Sequence, residues 1–549
     1  MTSDVRTTLG LSTPGPLLPD FAQAQEVAAE IDWAGPLTGG EVVDEVTAQA
    51  VCGVMHVHGR SRGEPSGMGI DYASAAARVV SGAGVLAALV ARARGASTSL
   101  VRTSVAQSAL LTVSQYMAAA SAGDGEVVPL VPGGPPFASR DGVWFEVDTL
   151  DPDVWRRFWE TLGAPVKLAG SAWRPFQFRY ATATAALPAE LHAHTAALPY
   201  AELEAVAFRT GVSICPLTPL RQRAAELAGA TPRPWHVLAL PGRHSPAVAD
   251  RNALPLHGIV VLEAGRRVQA PLAAHLLSLL GADVVRIEPP GGDPLRGMPP
   301  MCGETSARWL ALNRHKQAAQ VDIKDPAGRD ELRDLVAGAD VFLHNWAPGK
   351  AEQFGLGPRD LAAVRPGLVY AYTSGYAGRI EDPPLGTDFM VQARTGLGEA
   401  IRPADQPPAP SLMALVDVMG GLLGAHAVLG ALLHRERTGR ACQVESSLIA
   451  ASDLLLADFL GNGCARRPSG FRRPLRTADG WCTADDDQYA GAVRELSTED
   501  AVAELARHGR HSVPVSVDLA ALPGDQRFAA AIRPDEHGCP AVQTPWSFA

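Results

Sequence analysis

HGIVVLEAGRRVQAPLAAHLLSLLGADVVRIEPP, residues 257–290, decides the fold. HGIVVLEAG (257–265) is a short apolar run rich in valine and isoleucine and reads as a buried strand. QAPLAAHLLSLLG (269–281) follows as a buried helix, and DVVRIEPP (283–290) as a second strand. The pattern continues outward with a helix from 325 to about 338, a strand DVFLHNW (340–346) and a strand LVYAYTS (368–374). Strands alternating with helices predict a parallel, Rossmann-like sheet and an α/β class. The turn after Leu262 reads EAGRRVQAP and lacks the G-x-G-x-x-G fingerprint, so a dinucleotide dehydrogenase is poorly supported.

A second stretch carries the chemistry: SLMALVDVMGGLLGAHAVLGALLHRERTGRACQVESSL, residues 411–448. Residues 412–416 read as a strand-like run that delivers Asp417 to the start of a small-residue helix. That helix is expected to end near His434, closed by Arg435, Arg437 and Gly439. A carboxylate at such a terminus meets unpaired N–H groups and the positive end of the helix dipole. It is expected to stay ionised and fixed, which suits a covalent nucleophile. On this stretch alone, a plain N-cap accounts for Asp417 as well.

The chain has 549 residues, long enough for more than one domain and a large core. It is 46% hydrophobic and 19% charged, the balance of a soluble globular protein. A formal net charge of −10 and a pI near 5.9 argue against a generic nucleic-acid binder. The seven cysteines form no Cys-x-x-Cys pair, which argues against a zinc ribbon or disulfide framework and fits a reducing cytoplasm. No basic segment followed by an apolar core opens the chain, so no signal peptide is expected. The most apolar helices, near 74–93 and 418–434, contain Arg78 and His426 and read as buried helices short of a clean membrane span.

An internal repeat organises the rest. VVDEVTAQAVCGV (42–54) parallels GTDFMVQARTGL (386–397), and residues 67–95 parallel 412–439, with Asp71 opposite Asp417 and, once a short gap is allowed, Arg92 and Arg94 opposite Arg435 and Arg437. TSLVRTSVAQSALL (98–111) parallels CQVESSLIAASDLL (442–455), ASRDGVW (138–144) parallels RTADGW (476–481), and RTGVSICPL (209–217) parallels RHGRHSVPVS (507–516). Five matches in one order predict a tandem partial duplication. The expected parts are a leader (1–40), a truncated degenerate copy (41–250) and a more complete copy (251–549). The second copy divides into a Rossmann-like core of about 255–460 and a small part, 461–549.

The runs GADVVRIEPPGGDPLR (281–296), LNRHKQAAQVDIKDPAGRDEL (312–332) and ADVFLHNWAPGKAEQFGL (339–356), continued by GTDFMVQARTGL and the Asp417 segment, resemble the family III coenzyme A transferases of the carnitine-dehydratase and bile-acid-inducible type. The resemblance is dense over about 255–460 and weaker over 41–220 and 470–530. It implies an interlocked fold, with a Rossmann-like large domain and a smaller α+β domain. It also implies that Asp417 attacks an acyl-CoA thioester, passing through an aspartyl anhydride and an aspartyl-CoA thioester before a carboxylic acid takes the CoA. By motif position it places Arg286 and Lys316 at the nucleotide end of CoA. Val268, Gln269 and Ala270 fall at the turn that meets the pantetheine and thioester, and Asn345 with Trp346 beside the adenine and phosphates. No tightly bound cofactor or metal is implied, only acyl-CoA as substrate.

Three departures bear on this expectation. Gln353 replaces a basic residue of the family, with Lys350 nearby. Thr387 stands where the racemases of the superfamily place a histidine before the residue matched by Asp388, and a proton shuttle needs an acid/base pair. The loop ARRPSGFRRPL (465–475) is rich in arginine where the family has a glycine-rich loop, while VPGGPPF (131–137) offers Gly133 and Gly134 in the first copy. The expectation is therefore a cytoplasmic acyl-CoA:carboxylate CoA-transferase whose first copy acts as a built-in partner, a pseudo-dimer that can itself pair into a homodimer. Neither nucleic acid nor membrane is an expected partner. The alternatives are an isomerase, racemase or lyase on a CoA ester, or a non-catalytic CoA-binding protein. His56 and His58 alternate as on a strand and could face a metal, without a third ligand in the sequence nearby.

Overall fold

The computed structural model describes residues 27–123, 132–229, 233–244, 253–484 and 487–549. Most of the expected leader lies outside them. Its described end carries strand β1 (Ala28–Asp32), which runs parallel to β2 (Leu100–Ser104). Between these strands lie helices α1 (Glu45–Val51), α2 (Val54–Gly59) and α3 (Tyr72–Ala93). Helix α4 (Val105–Ala120) follows β2. A small antiparallel sheet of β3 (Phe137–Ala138), β4 (Trp144–Asp148) and β5 (Ser213–Pro216) comes next.

The large sheet is built from β6 (Trp235–Arg243), β7 (Val260–Ala264), β8 (Asp283–Glu288), β9 (Gln317–Gln320), β10 (Val341–His344), β11 (Val369–Ser374) and β12 (Arg440–Ser447). Among the described residues its order is β9-β8-β7-β10-β11-β12-β6, all parallel except the edge strand β6 against β12. Its central strands are mostly apolar because both faces are covered. Leu262, Phe342 and Tyr370 join a core with Leu332 and Leu361 on one face. Their neighbours Val261, Val341 and Val369 face the other way, onto helix α5 (Gln269–Leu279) and the main core.

Helix α6 (Asp388–Arg394) leads toward α7 (Leu415–Thr438), the hub of the molecule. One side of α7 packs on α5 and another on α3. Close approach explains the small residues: a Cβ at Gly421 would lie 2.9 Å from the Gln269 carbonyl oxygen, and one at Gly82 would lie 2.8 Å from His426 Nε2. At 22 and 24 residues, α3 and α7 are in fact long and apolar enough to cross a bilayer, but nearly all of each is buried in protein. Residues 412–416 are not a strand. The helix begins at Leu415 after Ala414 in a left-handed conformation (φ 51°), and it runs past His434 to Thr438 before Gly439 (φ 65°) stops it.

The two halves are threaded through each other. Strand β6, from before residue 250, completes the sheet of the second half, while β13 (Ser547–Phe548) pairs antiparallel with β2 of the first. From Glu45 to Ser104 the matching elements follow one spacing, 343 positions, without a gap. Glu45 and Gln49 correspond to Asp388 and Gln392, and the N-caps Asp71 and Ser104 correspond to Ala414 and Ser447. The alignment that set Asp71 opposite Asp417 is thereby corrected: Asp417 corresponds to Ser74, and Arg92 and Arg94 fall opposite Arg435 and Arg437 with no gap. His56 and His58 lie on helix α2 rather than on a strand, and no group of three potential metal ligands occurs among the described residues.

Candidate active site

The first turn of α7 needs acceptors for its free N–H groups. Asp388 supplies them: its Oδ2 accepts from the N–H of Val416 and of Asp417, both at 2.7 Å. Asp388 Oδ1 accepts from Gln392 Nε2 one helical turn on. Gln392 in turn holds Ser411, donating to its carbonyl at 2.9 Å and accepting from its N–H at 2.8 Å. The helix-terminal donors assigned to Asp417 from sequence therefore belong to Asp388. The Asp417 carboxyl accepts no hydrogen bond among the described residues and faces a cavity instead.

This changes its expected charge. Burial first, and then the neighbouring carboxylates Asp388 and Asp148, push the Asp417 carboxyl well above the usual carboxylate range, against the pull of Arg267. Asp388 is also raised by burial, but the Asp417 and Val416 N–H groups and Gln392 favour its ionised form. The carboxylate expected to stay ionised is thus the member of the pair whose ionised form is the more disfavoured.

The cavity beside it holds about 20 Å³, room for roughly one water. Asp148, Arg179 and Tyr180 come to it from the first half, and Arg267, Thr387, Asp388 and Asp417 from the second. Arg179 is buried, 3.3 Å from Asp148 and 3.7 Å from Glu146, and it lies over the Phe389 ring. Thr387 donates its hydroxyl to Asp148 Oδ2. Arg267 has φ 61° and extends over the Tyr180 ring, 5.1 Å from its centroid.

The remaining candidates fall into two groups. Val268, Gln269 and Ala270 are buried where β7 turns into α5, one residue beyond Arg267. Asn345 clasps this turn, accepting from Arg266 N–H at 2.9 Å and donating to Arg266 C=O at 3.0 Å. Trp346 is half-buried, with its ring 4.9 Å from that of His344. Arg286 and Lys316 form an interior ionic cluster away from the cavity. Arg286 pairs with Glu263 and Asp293 at 2.6 Å each, and Lys316 Nζ donates to Glu263 (3.0 Å), Asn313 Oδ1 (2.8 Å) and the Pro271 carbonyl (2.8 Å). Burial lowers Lys316 to about 8 in spite of Glu263. Lys350 Nζ donates to Gln353 Oε1 at 2.9 Å in an exposed position.

Gly133 and Gly134 pack near Ala185 and do not line the cavity. Two arginines of the arginine-rich loop reach across to the first half: Arg472 donates to the carbonyls of Met68 and Ile70 and pairs with Asp71, while Arg467 donates to the Gly69 carbonyl. At the position matching Asp417, Ser74 donates its hydroxyl to Glu45. Sequence reasoning missed Arg179, Asp148, Tyr180 and Arg267. Only Arg267 had a local signal, its place beside Val268. For Asp388 the signal was the acid four residues before a glutamine, repeated at Glu45 and Gln49.

The model of CoA-transferase family III matches residues 34–235 and 256–512. Succinyl-CoA:glutarate CoA-transferase of Mus musculus is 33% identical over 214 residues, 38% of this chain and 48% of that protein. Succinyl-CoA–D-citramalate CoA-transferase of Chloroflexus aurantiacus is 30% identical over 322 residues, 53% of this chain and 79% of that protein. A crystal structure of a CAIB/BAIF family protein from Brucella suis is 25% identical and covers 54% of this chain and 92% of its own, with a TM-score of 0.48. The chain thus spans about half the length of the mouse relative.

Proposed function

The chain belongs to CoA-transferase family III, and from that premise we propose that it moves CoA from an acyl-CoA to a carboxylic acid, with Asp417 as the nucleophile. One observation carries this reading: Asp417 is the carboxyl that faces the cavity with no hydrogen bond to it, next to a second carboxylate fully engaged in fixing the helix terminus. Raised basicity and poor solvation strengthen a carboxylate nucleophile once it is ionised. Asp417 attacks the thioester carbonyl, forming a mixed anhydride and releasing CoA thiolate. The thiolate attacks the Asp417 carbonyl, releasing the donor acid and leaving an Asp417–CoA thioester. The acceptor carboxylate attacks that thioester to form a new anhydride, and the thiolate then takes the acceptor acyl group and frees Asp417.

The first half serves as a built-in partner in this reading, the product of a partial duplication. The constant spacing of 343 positions and the twofold family match support it. Thr387, hydrogen-bonded to Asp148, offers no base to a racemase.

The test is mass spectrometry after incubation with acyl-CoA esters and a hydroxylamine or borohydride quench. Succinyl-CoA comes first, since the relatives are named for it. A mass change at Asp417, absent in Asp417→Asn, is the expected result. CoA binding with Asp417 never modified refutes transfer and leaves a binding protein.

A further inference from the structure

We propose that Arg267 receives the carboxylate of the incoming acid, which takes over the place of Asp417 as its negative neighbour once Asp417 is acylated. This rests on the transferase reading. Two guanidinium groups border the cavity, and they differ in freedom. Arg179 donates to the carbonyls of Phe176 and Val147 and is paired with Asp148 and Glu146. Arg267 makes no hydrogen bond or ion pair through its side chain among the described residues, and it lies over the face of Tyr180. It is near enough to Asp417 to favour that carboxylate, yet no ion pair joins them, and both border the same cavity.

The placement is fixed by backbone on both sides. Asn345 clasps Arg266, Val268 is 1% exposed, and Arg267 itself is held in a left-handed conformation that a non-glycine residue rarely adopts. A planar guanidinium with five donors in a fixed fork is suited to a carboxylate.

The exchange follows from charge. Once Asp417 is ionised for attack, Arg267 faces its negative charge. When Asp417 carries CoA as a thioester it is neutral, and the cation is left facing Asp388 and Asp148, whose charges are already met by backbone N–H groups, Thr387 and Arg179. The acceptor carboxylate then docks on Arg267 with one oxygen toward the Asp417 carbonyl carbon. Its attack forms the anhydride C–O bond and breaks the C–S bond to CoA thiolate. Return of the thiolate to the acceptor carbonyl restores the Asp417 carboxylate beside Arg267.

The full chain is assayed with succinyl-CoA as donor and glutarate as acceptor, in wild type, Arg267→Gln and Arg267→Lys. Arg267→Gln is expected to raise the glutarate KM on the order of 10- to 100-fold, the worth of a hydrogen bond to a charged group. Arg267→Lys is expected to restore most of it. The donor-only adduct at Asp417 still forms in Arg267→Gln, with its acid limb moved to higher pH, and it certifies that the variant is folded. Adduct formation with an unchanged glutarate KM overturns the inference alone. No adduct in the wild type overturns the transferase reading and this inference with it.

Discussion

Asp388 and Asp417 divide one helix terminus between them: one takes the N–H groups, the other faces the cavity. Because the Asp417 carboxyl is raised, nucleophilic attack fails as pH falls through that raised value. The acid limb of adduct formation is expected near neutrality instead of near the usual carboxylate range, and Asp388→Asn is expected to move it down by about one unit or more. Rapid-quench adduct yields against pH check both. The stability consequence has the opposite sense from a salt-bridged aspartate. A folded-state value above the unfolded one means that stability is lost as pH rises between the two. Asp417→Asn should therefore raise Tm more at pH 8 than at pH 5. That Asp417 opens a helix was legible, since small residues precede a cationic last turn and Gly439. That Asp388 holds the terminus was not, because the two are 29 residues apart and nothing local joins them.

At the scale of elements, the glycines of α7 set how near α5 can come. Gly421→Val places branched carbons against the Gln269 carbonyl and Leu272, and is expected to lower stability by about 1–3 kcal/mol, read from thermal or urea melts. The interior strands β7, β8, β10 and β11 were legible because burial on both faces demands short runs dominated by apolar residues. Strands β6 and β9 were not. WHVLALPGR carries Pro241 and Gly242, and QAAQ is mostly polar, compositions that only an edge accepts. The loop 465–475 was legible only as arginine-rich; that Arg467 and Arg472 donate to backbone carbonyls of the other half was not, because those partners lie 398 to 404 positions away.

Across the whole molecule, the cavity has walls from both halves, so a change in the first half should be felt at Asp417. Arg179→Met leaves Glu146 and Asp148 without their cation. Breaking a buried pair in this way costs about 3–5 kcal/mol. A lower Tm together with an Asp417 acid limb moved to higher pH is expected, and melts with adduct profiles measure both. The repeat was legible from motif order, but its register in the long helices was not. Alanine-rich turns carry no landmark, and the slip was corrected only by the hydrogen bonds of Glu45 and Asp388 to the helices that follow them.

Ser74 in the place that Asp417 occupies has a consequence in heredity and in counting. In an assembly of identical chains, every substitution is written into all the sites at once. Here position 74 can drift while position 417 is held, so one half is free to become pure framework. Adduct formation should accordingly saturate at one group per 549-residue chain, and one rather than two is the number a titration with excess acyl-CoA would return.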